Sequence, residues 1–116
     1  MAAVRRSPRR GDIYWVTLDA ALGSEIRKAR PALVISNDSC NTYGARVVVV
    51  PITSNVSSFY PAEARIQVRG RRARVLGDQI RSIDKARLGA RIGSVTATEL
   101  REVEMAVLIT LGFSPP

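Results

Sequence analysis

The chain of 116 residues contains no histidine. That absence removes His-based acid–base pairs, Ser-His triads and His-ligated metals. Cysteine is nearly absent too. Cys40 stands alone, which rules out an intrachain disulfide and a thiolate metal site and makes a reducing compartment the simple reading. No Gly-rich phosphate loop precedes a helical pattern. Asp12, Asp19, Asp38, Asp78 and Asp84 are scattered without the spacing of a calcium loop. Neither a metal nor a nucleotide cofactor is therefore expected. The longest apolar runs are far too short to span a bilayer, so no membrane association is expected. Residues 1–10 carry charge but no following apolar region, unlike a signal peptide, and a cytoplasmic location is the expectation.

What is present is arginine. Lys28 and Lys85 are the only lysines, so 16 of the 18 basic residues are Arg, and the net charge is +8. The planar fork of Arg donors matches phosphate oxygens. Such an excess points to an acidic partner, nucleic acid first and an acidic protein second. Genomic base composition also enriches Arg, and charge serves solubility, so charge alone does not select a function. The length suits one domain with a real core, and helix and strand patterns both occur. The class is α+β, mostly β.

Residues 1–10, with four Arg and no periodicity, read as a disordered basic tail. A single domain is expected over residues 11–116. Residues 12–18 and 31–36 have the aromatic and β-branched content of strands, separated by a loop crowded with Glu25, Arg27, Lys28 and Arg30. Pro31 suits the start of the second strand and biases Arg30 towards extended backbone. Residues 46–52 (RVVVVPI) form the continuous β-branched run of a strand buried on both faces. Residues 62–69 alternate, as a half-exposed strand does. A turn from Gly70 through Arg71 and Arg72, a return over 73–76 and a strand over 79–83 complete the β pattern. Thr96 and Glu99 then make a capping box, with Val95 and Leu100 as its staple. Leu100, Val103, Val107 and Leu111 form one helical stripe; Met105, Leu108 and Ile109 widen it, through either a subunit contact or a broad core face. Gly112 supplies the stop. Five or six short strands and one terminal helix predict a compact, SH3-like antiparallel barrel. Trp15, mid-strand, is expected in the core.

The remaining polar residues favour phosphodiester cleavage in RNA, where the substrate supplies its own nucleophile, the 2′-OH. The protein need only position the backbone, neutralise phosphorane charge and move protons. Arg and Thr suit the electrostatic work, and a carboxylate such as Glu25 suits removal of the 2′ proton. Arg, with its high pKa, is first a charge stabiliser and only second an acid.

Five segments carry a resemblance to the MazF/PemK toxins of bacterial toxin–antitoxin modules: GDIYWVTLD (11–19), GSEIRKARPALVISND (23–38), VVVVPITS (47–54), YPAE (60–63) and GDQIRSIDKARLG (77–89). They occur in that family's order and cover nearly everything after the tail. The resemblance implies a homodimeric SH3-like barrel and a metal-independent endoribonuclease that cuts single-stranded RNA, mainly mRNA, at short sequences. Its products would carry a 2′,3′-cyclic phosphate and a 5′-OH. It also implies a cognate antitoxin whose acidic C-terminal segment blocks the site. A non-catalytic toxin of the same fold acting on DNA gyrase and a basic RNA-binding barrel are the alternatives.

By the same resemblance, Arg30 matches the catalytic arginine at the scissile phosphate and Thr53 the assisting threonine, with Ser54 as a second hydroxyl. Glu25 matches a substrate-loop residue, either a base or a contact to a nucleotide edge; Ser24 and Lys28 share that loop as RNA contacts. Asp78 and Gln79 match an Asp-Gln pair lining the RNA groove, although Leu76 stands where some relatives have an Arg, which weakens Asp78 as a base. Arg81 is a phosphate contact. Tyr60 and Phe59 are placed to stack on splayed bases.

Overall fold

The computed structural model describes residues 6–18, 29–57 and 60–114. The first strand, β1 (Asp12–Thr17), pairs antiparallel with β2 (Ala29–Val34), Trp15 opposite Pro31 and Val16 opposite Arg30. After a six-residue helix, α1 (Asp38–Tyr43), β3 (Arg46–Thr53) returns along β2, with Ala32 opposite Pro51. β4 (Glu63–Val68) and β5 (Arg71–Leu76) form a hairpin, β6 (Arg81–Asp84) and β7 (Leu88–Ser94) follow, and α2 (Ala97–Leu111) ends the order. Every described strand pair is antiparallel, in the order β4-β5-β3-β2-β1-β7, with β6 also on β3.

β3 changes neighbour along its length. Its first half pairs with β6 and its last two residues with β5 (Ile52–Val75, Thr53–Arg74), and this hand-over curls the sheet. Arg69 Nε reaches the Ile92 carbonyl at 3.5 Å, tying the β4–β5 turn to β7 across the open side. The architecture is the expected SH3-like barrel with a C-terminal helix.

Alternation along the central strands builds two apolar layers, one on each face. Ile13, Leu33, Val50 and Ile52 point to the side covered by β4, β5 and the α2 residues Val103, Ala106 and Val107. Tyr14, Val16, Ala32, Val34, Val47 and Val49 point the other way, with Leu18 and Ile83. β3 is buried on both faces, as its composition predicts.

α2 starts where the capping box places it, at Thr96, whose hydroxyl accepts from the Glu99 amide at 3.1 Å. Glu99 Oε1 accepts from the Thr96 amide, and Oε2 takes the Gln67 amide of β4 at 2.7 Å. One carboxylate thus caps the helix and satisfies a sheet-edge donor. At the other end Gly112 is left-handed (φ 80°), and the Phe113 amide closes on the Leu108 carbonyl.

Several details differ from the sequence reading. The β4–β5 turn is Arg69–Gly70, both left-handed (φ 51° and 79°), because a two-residue hairpin loop needs that backbone twist. Arg71 and Arg72 therefore belong to β5. Gln79 sits in a 3₁₀ turn, Gly77–Gln79, ahead of β6. Helix α1 and strand β7 were not anticipated: α1 is too short for periodicity, and Leu88–Ser94 lacks alternation because β-bulges break its register with β1. Trp15 is 42% exposed, since its strand face runs out to the open mouth of the barrel. Leu111 is exposed, and Ala106 replaces it in the buried stripe.

Residues 6–10, read as part of a disordered tail, are tied down instead: Pro8 is buried, the Arg10 amide donates to Asp38 at 2.7 Å and its Nε to the Ile35 carbonyl. That amide bond is the main reason the Asp38 carboxyl lies below its ordinary value of 3.8, with Asn41, Arg9 and Arg10 adding to it.

Candidate active site

Extending the β2–β3 register two residues beyond Ala32–Pro51 brings Arg30 across from Thr53 on one sheet face. There the second apolar layer gives way to a polar groove of about 330 Å³, lined by Leu18, Arg30, Pro51, Ile52, Thr53, Arg74, Leu76, Gln79 and Arg81. Arg30 is exposed at the entry of β2, and Arg81 is exposed opposite Val49 at the start of β6. Neither guanidinium makes a hydrogen bond or ion pair to another described residue. Two cations facing one concavity, each on a strand, give it a positive field suited to an anion.

Thr53 Oγ1 accepts from the Asn55 amide at 3.2 Å. The turn bond uses an oxygen lone pair, so the hydroxyl proton remains available to a groove ligand. Arg74 is the one buried cation among the described residues, at 8% exposure. It lies across from Thr53 on β5 and donates to Glu63 Oε1 at 2.7 Å and to the Asn55 carbonyl at 2.5 Å.

The residues singled out from sequence are distributed as follows. Arg30, Thr53, Gln79 and Arg81 share the groove. Asp78, on the exposed side of its turn, is not among the groove's described lining residues. Ser54 instead lines a separate apolar cleft of about 350 Å³ on the opposite sheet face, with Trp15, Pro31, Ile52, Val68 and Ile92, rimmed by Arg69, Arg71 and Arg72. Tyr60 is exposed, and its amide donates to Glu63 Oε1. Ser24, Glu25, Lys28 and Phe59 lie outside the described residues.

Sequence reasoning missed Arg74, which sits in an arginine run that reads as a solvated face, and Trp15. Trp15 shares a face with buried Ile13, so alternation along β1 gave no signal of its exposure. Among the described residues, no three His, Cys, Asp or Glu side chains converge to hold a metal ion. No described helix is long and apolar enough to cross a membrane.

Residues 9–111 match the family described as PemK-like, MazF-like toxin of type II toxin-antitoxin system. Endoribonuclease MazF9 of Mycobacterium tuberculosis is 39% identical over 112 residues, which span 89% of this chain and 95% of that protein. A solved endoribonuclease from a mycobacterial species superposes with a TM-score of 0.80 at 27% identity, covering 96% of this chain and 97% of the other. A mycobacterial endoribonuclease in complex with its cognate antitoxin gives 0.75 at 27% identity, covering 97% and 100%.

Proposed function

This chain belongs to the PemK/MazF-like toxins of type II toxin–antitoxin systems, and from that membership we propose that its groove cuts single-stranded RNA without a metal ion. The toxin's activity is that of an endoribonuclease. The observation that carries the finer reading is the sharing of one concave surface by Arg30, Thr53, Gln79 and Arg81.

In the proposed reaction the ribose 2′-oxygen attacks the neighbouring phosphorus. The O2′–P bond forms as the P–O5′ bond breaks, leaving a 2′,3′-cyclic phosphate and a 5′-OH. One proton leaves the 2′-OH and one reaches O5′. Arg30 lies against the non-bridging oxygens and neutralises the charge that builds on them; protonating O5′ is its secondary role. Thr53 donates its hydroxyl proton to the same phosphoryl group. Arg81 holds an adjacent phosphate, and Gln79 offers an amide to a base edge. Glu25 serves either as the base for the 2′ proton or as a contact to a nucleotide edge, with Ser24 and Lys28 beside it in sequence as further RNA contacts. Trp15 and its arginine rim supply a face on which a splayed base stacks, a role the sequence reading gave to Tyr60 and Phe59.

A cognate antitoxin with an acidic segment would compete for this groove, in keeping with the net charge of +8. Met105 and Ile109, exposed one turn apart on α2, offer an apolar contact that fits a second copy of the chain. The cytoplasm is where such an RNA substrate is met. The test is end-group mapping of single-stranded RNA incubated with purified protein in excess EDTA. Cyclic phosphate and 5′-OH ends are expected; 3′-OH ends, or no cutting until metal is added, would overturn the mechanism.

A further inference from the structure

We infer that Arg74 is a positioning residue that fixes which RNA sequence the groove accepts, an inference that rests on the nuclease reading above. A guanidinium and a carboxylate buried together lose strong hydration, so a pair like Arg74–Glu63, with side chains 10% and 8% exposed, is weak evidence of a stabilising role. Its geometry points to another duty.

The chain leaves β3 after Thr53 and re-enters the sheet at Glu63. Arg74 grips both ends of that excursion. Its Nε holds the Asn55 carbonyl, two residues past Thr53, and its Nη1 holds Glu63 Oε1. The same Glu63 oxygen takes the Tyr60 amide at 3.0 Å, while the Glu63 amide returns to the Tyr60 carbonyl at 3.0 Å. Asn55, Tyr60 and Glu63 are thus locked to one side chain that itself faces the groove beside Thr53.

A planar fork binds two acceptors at a fixed angle, which a lysine ammonium does not reproduce. In the proposed complex, RNA bases flanking the phosphate at Arg30 and Thr53 pass over the Asn55 and Tyr60 backbone that Arg74 and Glu63 hold. A rim of fixed shape rejects bases that do not fit; a loosened one adapts to them. Of the chemical groups, only Thr53 feels the brace, through the Asn55 amide that donates to its Oγ1; Arg30 and Arg81 stand on other strands.

Removing one partner alone would strand a buried charge, so the decisive variant replaces both, Arg74→Met with Glu63→Leu. Arg74→Lys is the conservative companion, keeping the Glu63 contact and losing the fork. Each is mapped on a randomised RNA pool in chelator. The readouts are the ratio of kcat/KM at the preferred site to that at its single-base variants, and kcat at the preferred site. The double variant is expected to lower the ratio at least tenfold, beyond any uniform loss in kcat, with Arg74→Lys between it and wild type. A folded double variant with unchanged ratio overturns the inference, whether or not kcat falls equally at every site. If the double variant does not fold, Arg74→Lys decides by the same ratio. Failure of the wild-type protein to cut RNA would instead sink the nuclease reading, which the wild-type arm reports separately.

Discussion

The residues that cap α2 and the exposed cations of the groove treat their polar groups in opposite ways. Around α2, Thr96, Glu99 and the Gln67 amide each hold a partner, and Gly112 closes the helix. Around the groove, the side chains of Arg30, Gln79 and Arg81 make no hydrogen bond or ion pair to described residues. The helix caps use their polar groups to hold the fold. The groove leaves cations without a described partner on its strands, which is the arrangement the proposed anionic substrate would complete.

Breaking the comparison hardest is Arg30→Ala. RNA cleavage is expected to fall by about 10²–10³-fold, with an unchanged thermal midpoint because no described partner is lost. A folded, fully active variant would remove Arg30 from the chemistry. Gly77→Ala attacks the seam between the two regions. A Cβ there runs into the Ala62 carbonyl oxygen and comes within 3.3 Å of the Ala106 Cβ of α2. A loss of about 1–3 kcal/mol is expected in urea unfolding, with reduced cleavage because Gln79 is carried on the same turn.

Glu99→Ala strips an acceptor from both the Thr96 and Gln67 amides. It should lower stability by about 1–2 kcal/mol and leave cleavage at 25 °C intact. Loss of activity without loss of stability would contradict the division of labour. Arg81→Ala tests the groove more gently: for an uncleavable RNA, the slope of log affinity against log salt should shrink by about 0.7.

The smallest effect belongs to Asp38. Its folded carboxyl titrates below 3.8 because the Arg10 amide donates to it. The stabilisation is therefore present above that ordinary value and lost as pH falls through the lowered one. Asp38→Asn should cost stability at pH 7 and progressively less as pH falls below 3.8, as paired urea titrations would show.

Legibility followed burial and local chemistry. The RVVVVPI run, the alternation over 62–69 and the Thr96–Glu99 box each carry their structural cause within a few residues, and β3, β4 and α2 lie where those signals place them. β7 depends on a bulged pairing with distant β1, and Arg74 on partners at Asn55 and Glu63, so neither is visible in a local window. Arg30 and Thr53 were legible as groove neighbours because each abuts a strong strand signal. The roles of Ser24, Glu25 and Lys28 rest on resemblance, since they fall outside the described residues.

Both faces of β2 and β3 are packed, so their pairing is locked twice over. Deleting or inserting a single residue within either strand would turn every later side chain to the opposite surface. Guanidinium and hydroxyl would part company in the same event that exposes both greasy layers. Length variation among working descendants of this sequence should consequently be confined to its loops.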